Sequence, residues 1–515
     1  VVRGQTIDVL NVSIDQFLGI PYAEPPVGRL RFAKPEPIKT PNKGIIDGTV
    51  VNGRSCLQPY VPPFFQFMKN QSEDCLVLNI WTPNAGNNNT NKSQLKPIMF
   101  WLHGGGLSMG SIYEFPNYNG TALATHDVMV VTVNYRLGPF GFLYAGDETA
   151  PGNAGLYDQL LALKWVRENA EQFGGDMDRI TIFGESAGSQ SVSALVLSPL
   201  AKGLFKRAIH ESGVLLTNKK RPYISKTEAL DQFKVMANHF NCGADRNQWL
   251  QCLRNVTDYE ELIKTFPMNT CPALESTELL PEINAQNAFI KNNFKLKGLD
   301  IMVGVSRNEG SLVSRAAYNW MFDRDINETD FDVLMNQLND RFKDIDIPAV
   351  KDYYLKGVNT SDSQSLKHTF YDMVGDVWIN CPAYLYARQY GTKSPDSRVY
   401  YYEQTYQSKN MINVGCVEST MGICHMADLP FVFGVPVMDD RNFTDIDIGF
   451  SRQVMQMWTN FAKTGNPDPQ WLEFLDKKSN TSATKVLDLN PLTDKHMFTD
   501  LFAERCEHFW GNYFL

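Results

Sequence analysis

The sequence predicts an α/β protein with a large, mostly parallel central sheet, flanking helices and a helical cap-like region. Three observations carry this prediction. Short apolar, β-branched runs recur along the 515 residues, with the length and composition of buried strands. Helical periodicities lie between them, the order that a parallel sheet covered on both faces requires. One run leads into Gly184-Glu185-Ser186-Ala187-Gly188 and then a helix-forming stretch. In that context the glycines permit a tight turn that holds a serine hydroxyl out at the head of a helix.

The elements follow in chain order. Residues 84–96 are polar and Asn-rich and read as a surface loop. Residues 97–102 (Pro-Ile-Met-Phe-Trp-Leu) and 128–133 (Val-Met-Val-Val-Thr-Val) are too short and too apolar for amphipathic helices and read as strands. Residues 157–166 carry apolar side chains near i, i+3 and i+4, a helix. Strand 178–183 precedes the serine turn and helix 189–197 follows it. Residues 301–305 and 399–402 are further strands, and the helical stretch from about 312 to 395 between them is expected to form the cap-like insertion. Neither a repeat nor a Pro- or Gly/Ser-rich linker divides the chain. Residues 1–515 are therefore expected to form a single domain, with active groups on loops at the carboxyl ends of strands.

Composition narrows the functional class. Hydrophobic residues make up 43% and charged residues 20%, enough for a large core. The net charge of −9 and the lack of a Lys/Arg cluster argue against a nucleic-acid partner. No apolar run reaches membrane-spanning length. The chain lacks an initiator Met and a signal-like start, which predicts a processed mature form. Asn-x-Ser/Thr sites stand at Asn11, Asn70, Asn88, Asn91, Asn119, Asn255, Asn327, Asn359, Asn442 and Asn480. These ten sites, most of them in polar stretches, predict a secreted, glycosylated protein; the nine cysteines do not by themselves prove disulfides.

A serine hydroxyl is a weak nucleophile near neutral pH. It needs a base, and the base needs an orienting carboxylate. In proteins of the G-x-S-x-G type the chain order is Ser, acid, His. Glu309, just after strand 301–305, fits the acid. Four histidines follow it: His368, His425, His496 and His508. His425, between a glycine and an apolar run, ranks first; the spacing leaves the other three open. His103-Gly104-Gly105-Gly106-Leu107 follows strand 97–102. Its consecutive glycines can converge backbone N–H groups with that of Ala187 into an oxyanion hole. His103 precedes Ser186 and reads as structural. The chain has no metal-ligand spacing such as H-E-x-x-H or paired C-x-x-C, and no cofactor is expected.

Longer strings add a family resemblance. They are Phe17-Leu18-Gly19-Ile20-Pro21-Tyr22-Ala23-Glu24-Pro25-Pro26, Glu73-Asp74-Cys75-Leu76-Val77-Leu78-Asn79-Ile80-Trp81-Thr82-Pro83, Ala150-Pro151-Gly152-Asn153-Ala154-Gly155-Leu156 and Phe461-Ala462-Lys463-Thr464-Gly465-Asn466-Pro467. With the serine turn, they make the chain resemble the type-B carboxylesterase/cholinesterase family of α/β-hydrolases over nearly its whole length. The resemblance implies Ser186 as nucleophile, Glu309 as acid and His425 as base. It implies oxyanion donors at Gly105, Gly106 and Ala187, and supporting polar groups at Glu185, Ser212 and Asp428. It also implies disulfides Cys56–Cys75, Cys242–Cys252 and Cys381–Cys506. Cys271, Cys416 and Cys424 are left over, so at least one thiol is expected to be free or joined to another chain.

The departures from the family pattern bear on substrate. Choline-selective members hold a quaternary ammonium against aromatic faces. Here the loop 57–74 has no Trp, Leu312 stands at a usually aromatic position, and no Trp follows Glu211-Ser212-Gly213. Met426 replaces a usual Gly beside His425. With Leu107 and Leu312 expected to line the substrate pocket and to favour an aliphatic or aryl group, the sequence points to a serine carboxylesterase that hydrolyses neutral carboxylic esters through an acyl-enzyme. The alternatives are an acetylcholinesterase-like choline esterase and a non-enzymatic adhesion protein. The oligomeric state is not predicted.

Overall fold

The computed structural model describes residues 1–39, 44–50, 54–59, 70–83, 85, 94–114, 117–220, 224–243, 246–266, 277–281, 285–290, 298–409, 416–476 and 483–515. Its centre is an 11-stranded sheet. In chain order the strands are β1 (Gln5–Val9), β2 (Val12–Pro21), β3 (Val77–Thr82), β4 (Lys96–Leu102), β5 (Met129–Val133), β6 (Gly175–Glu185), β7 (Arg207–Glu211), β8 (Asp300–Ser306), β9 (Val399–Gln404), β10 (Lys485–Leu489) and β11 (Met497–Thr499). Across the sheet the order is β11-β10-β9-β8-β7-β6-β4-β5-β3-β2-β1. The seven strands from β10 to β5 are mutually parallel, and the outer ones are antiparallel.

The apolar runs read as strands from sequence are the parallel centre, which is buried on both faces. Their period of two emerges only in the fold. Ile98, Phe100 and Leu102 of β4 enter one core, together with Ile301, Val303 and Val305 of β8. Met99, Trp101 and Met302 enter a second core on the opposite face. Because both faces are apolar, the alternation leaves no polar mark in the sequence. The N-terminal hairpin β1–β2 was not read from sequence; β1 alternates half-buried and exposed residues at the sheet edge, while β2 buries Ile14, Leu18 and Ile20.

Helix α1 (Ala154–Asn169) extends the predicted helix at both ends. Helix α2 (Ala187–Leu197) begins two residues earlier than the sequence indicates, directly after Ser186. The region read as cap-like is the crossover from β8 to β9. It comprises α3 (Glu309–Ala317), α4 (Glu328–Phe342), α5 (Ile347–Tyr354), α6 (Ser363–Gly375) and α7 (Cys381–Lys393). Helix α8 (Asp445–Thr464) packs in the second core through Val454, Trp458 and Phe461.

The three disulfides implied by the resemblance are formed. A fourth, Cys416–Cys424, joins two of the three cysteines whose pairing was open. Cys271 lies outside the described residues, as do Asn88, Asn91 and Asn480 and most of the Asn-rich loop. Asn11, Asn70, Asn255, Asn327, Asn359 and Asn442 are exposed and Asn119 is half-buried. No helix among the described residues is long and apolar enough to cross a membrane.

Candidate active site

Four neighbouring parallel strands, β4, β6, β7 and β8, deliver the predicted site residues from their carboxyl ends. The glycine loop follows β4, Ser186 follows β6, Ser212 follows β7 and Glu309 opens α3 just beyond β8. His425 arrives on a longer turn after β9.

Ser186 has φ 56° and ψ −123°, a conformation that strains any residue with a side chain. The fold holds it from both sides. Its N–H donates to the Glu211 carbonyl at 2.9 Å, and its carbonyl accepts from Gln190 N–H at 2.9 Å inside α2. The turn is close enough to β4 that a Cβ on Gly188 would come within 2.0 Å of the Leu102 carbonyl oxygen, so only glycine fits there. Among the described residues no hydrogen bond engages the Ser186 hydroxyl, which is half-buried.

Gly105 and Gly106 have φ of 101° and 62°. No hydrogen bond among the described residues engages their amides or that of Ala187, the first residue of α2. Unpaired N–H groups beside a helix N-terminus attract a developing negative charge. His103, the neighbour of this loop, is buried and stacks on Tyr135 with ring centroids 4.4 Å apart. Burial pulls its pKa down to about 4, which keeps the ring neutral near pH 7.

Glu309 is fully buried and bonded at both oxygens. Oε1 accepts from the Ser212 hydroxyl at 2.5 Å and from Ser306 N–H at 2.6 Å. Oε2 meets His425 Nδ1 at 2.6 Å. On the other edge of the imidazole, Nε2 lies 3.0 Å from Glu185 Oε1. That contact lacks hydrogen-bond geometry, and among the described residues neither Glu185 oxygen has a hydrogen-bond partner. Burial lowers the His425 pKa, but Glu185, Glu309 and Asp428 outweigh it and raise the ring to about 9. Burial pushes Glu185 well above the usual carboxylate range, opposed by His425. A protonated Glu185 has no charge with which to raise His425, so the basicity of the ring depends on the charge of Glu185.

Asp428 accepts from the Tyr402 hydroxyl at 2.8 Å and is pushed up to about 6 by burial. Its neighbour Glu211 was not singled out from sequence. It accepts from Trp458 Nε1 at 2.7 Å, and burial and the Asp428 charge raise it. The signal was present: an acidic residue ending a short strand, next to Ser212. Asn308 was also missed, since nothing in its sequence context distinguishes it from an ordinary turn asparagine. Leu107 and Leu312 are 2% and 8% exposed, Leu107 in the first core and Leu312 in the second. His368 lies on α6 and His496 precedes β11, and neither contacts Glu309 among the described hydrogen bonds. The candidate base that meets the candidate acid is His425.

The carboxylesterase family model matches residues 1–509. A cholinesterase of Mus musculus is 32% identical over an alignment covering 100% of this chain and 85% of that protein. The acetylcholinesterase of Bungarus fasciatus is 32% identical, with 91% and 78% covered. Carboxylesterase 1C of Mus musculus is 34% identical, with 89% and 83% covered.

Proposed function

Because the chain belongs to the carboxylesterase family and is a carboxylic ester hydrolase, we propose that it cleaves small neutral esters through an acyl-enzyme at Ser186. The observation that carries this reading is Glu309, which bonds His425 Nδ1 at 2.6 Å while Ser212 and Ser306 anchor its other oxygen. A carboxylate so fixed keeps the proton on Nδ1 and leaves Nε2 as the basic nitrogen. Nε2 takes the Ser186 proton as Oγ attacks the ester carbonyl. The amides of Gly105, Gly106 and Ala187 receive the oxyanion, and the helix dipole of α2 supports it. His425 then protonates the leaving alcohol. Water, activated by the same nitrogen, releases the acid. Glu185 competes with Ser186 for Nε2, so its protonation state sets how readily the base is available.

The preference for neutral esters rests on the missing tryptophans and on Leu312. A choline ester must strip water from a fixed charge, and an aromatic face returns about 2 kcal/mol or more when desolvated. Leucine offers no such electrostatic return. Secretion and glycosylation fit the four disulfides and the exposed sequon asparagines. We read the chain as one domain around one sheet.

The test compares kcat/KM for p-nitrophenyl acetate and butyrate with acetylcholine and butyrylcholine. The aryl esters are expected to be at least tenfold better, and a preference for acylcholines would promote the choline esterase reading. Titration with an organophosphate is expected to label one serine per chain. Ser186→Ala should abolish labelling and cut kcat by about a millionfold, the scale seen on removing a hydrolase nucleophile.

A further inference from the structure

The turn that bears His425 is tied to the turn that bears Glu309 residue by residue. Cys424 and Asn308 form a parallel bridge, the residues just before His425 and Glu309. Asn308 N–H donates to the Ile423 carbonyl at 2.9 Å, and Ile423 N–H donates to Asn308 Oδ1 at 3.1 Å. The Ser311 hydroxyl, one turn into α3, donates to the Met421 carbonyl at 2.8 Å. Gly422, with φ 61°, lets the chain pass so close that a Cβ there would come within 2.4 Å of Asn308 Oδ1.

The bridge therefore sets a register. One residue beyond it on each segment, Glu309 and His425 face each other at 2.6 Å. What fixes the His425 strand is the Cys416–Cys424 disulfide, which closes an eight-residue span ending at the base's own neighbour. Both cysteines are buried, Cys416 at 1% and Cys424 at 0% exposure. Past the histidine, Met426 has a left-handed φ of 73°, so the backbone turns sharply where a side-chain-bearing residue resists turning. Losing the link would free the strained turn at Met426 to relax, and His425, which lies between the two, would move with it.

We infer that the Cys416–Cys424 disulfide and Asn308 are positioning residues for His425. They hold its ring in register with Glu309 and so set the rate of proton transfer from Ser186. The inference rests on the triad reading above. The charged groups facing His425 are Glu309 at the start of α3, Glu185 at the end of β6, and Asp428 three residues beyond it. A ring that slips out of register loses part of their support and becomes less basic.

The test uses the full-length enzyme with C416S/C424S, Asn308→Ala and Asn308→Asp, the last retaining the acceptor for Ile423 N–H. Misplacing a reacting group by about 1 Å can cost about a hundredfold in rate. The cysteine pair and Asn308→Ala are expected to lose tenfold to a hundredfold in kcat, with KM within about threefold. Their acid limb of kcat/KM should fall toward pH 6.5, the ordinary histidine value. Asn308→Asp should stay within about threefold of the parent. If Asn308→Ala keeps its kcat and its limb, the proposal is overturned. It is equally overturned if Asp and Ala lose the same activity with the limb unmoved, which is the mark of a merely structural role. The asparagine pair decides the matter even if the cysteine variant does not fold. Failure of the triad reading shows separately: the parent enzyme would escape organophosphate labelling, or Ser186→Ala would keep its turnover.

Discussion

His425 sits between two buried carboxylates, and their opposite duties make it the most informative single residue. Glu309 is bonded on both oxygens and fixes the ring, while Glu185 presents two oxygens without hydrogen-bond partners among the described residues at the Nε2 edge, the one that reaches Ser186 in the proposed mechanism. Burial lowers the imidazole pKa, and the carboxylates more than reverse it, to about 9. In the proposed mechanism His425 accepts the Ser186 proton only when neutral, so activity should rise with pH as the ring gives up its proton. Glu185→Gln removes one of the raising charges. The acid limb of kcat/KM for p-nitrophenyl acetate, followed from pH 5 to 10, should therefore move to lower pH. A limb that stays in place would mean that Glu185 is already protonated in the resting enzyme.

The serine turn is set by the fit of α2 against β4, not by propensity. Gly188 lies one residue into the helix, where glycine costs about 1 kcal/mol relative to alanine in an unconstrained helix. Here the balance reverses, because a Cβ would sit 2.0 Å from the Leu102 carbonyl oxygen, part of the backbone. Gly188→Ala must push α2 away from the sheet. It should destabilise the protein by about 1–3 kcal/mol or more, the usual cost of overpacking. It should also lower kcat, since Ser186 and the Ala187 amide move with the helix. Urea denaturation and turnover on the same preparation check both. A stabilised variant with full activity would contradict the packing argument.

At the scale of the whole molecule, the sheet buries titratable groups that the reaction does not use. His210 on β7 is fully buried against Tyr386, with ring centroids 5.2 Å apart, and burial lowers its pKa to about 3. The unfolded chain binds this proton near pH 6.5. A depressed folded pKa gives stability that is complete above 6.5 and is lost as pH falls toward 3. His103 adds a similar loss between 6.5 and about 4. Buried carboxyls with raised pKa, such as Glu114 at about 8, act in the opposite sense, losing stability as pH climbs from the ordinary carboxyl range toward 8. His210→Phe should flatten the acid fall in stability between pH 6.5 and 4 by up to about 1.4 kcal/mol per pH unit, one proton's worth. Unfolding midpoints across that range measure it, and an unchanged slope would place the linked proton elsewhere.

The sequence by itself determined the α/β class, the parallel centre of the sheet and the Ser186 turn, because these depend on local signals. Apolar runs such as 97–102 can only be buried strands, and a glycine-flanked serine between strand and helix has few other readings. The family strings brought Glu309 and His425 within reach of that turn. What only the tertiary structure decided depends on contacts between residues far apart in the chain. The β1–β2 hairpin ends in the edge strand β1, whose half-buried alternation is faint in sequence. The two-faced alternation of β4 and β8 is invisible where both faces are apolar. The pairing of Cys416 with Cys424 could not follow from the cysteine count. Nor could the Asn308–Cys424 bridge, because hydrogen bonds between loops more than 100 residues apart are written in no single segment. The orientation of His425 between Glu309 and Glu185 belongs to the same class, since it exists only once four strands deliver their carboxyl ends to one place.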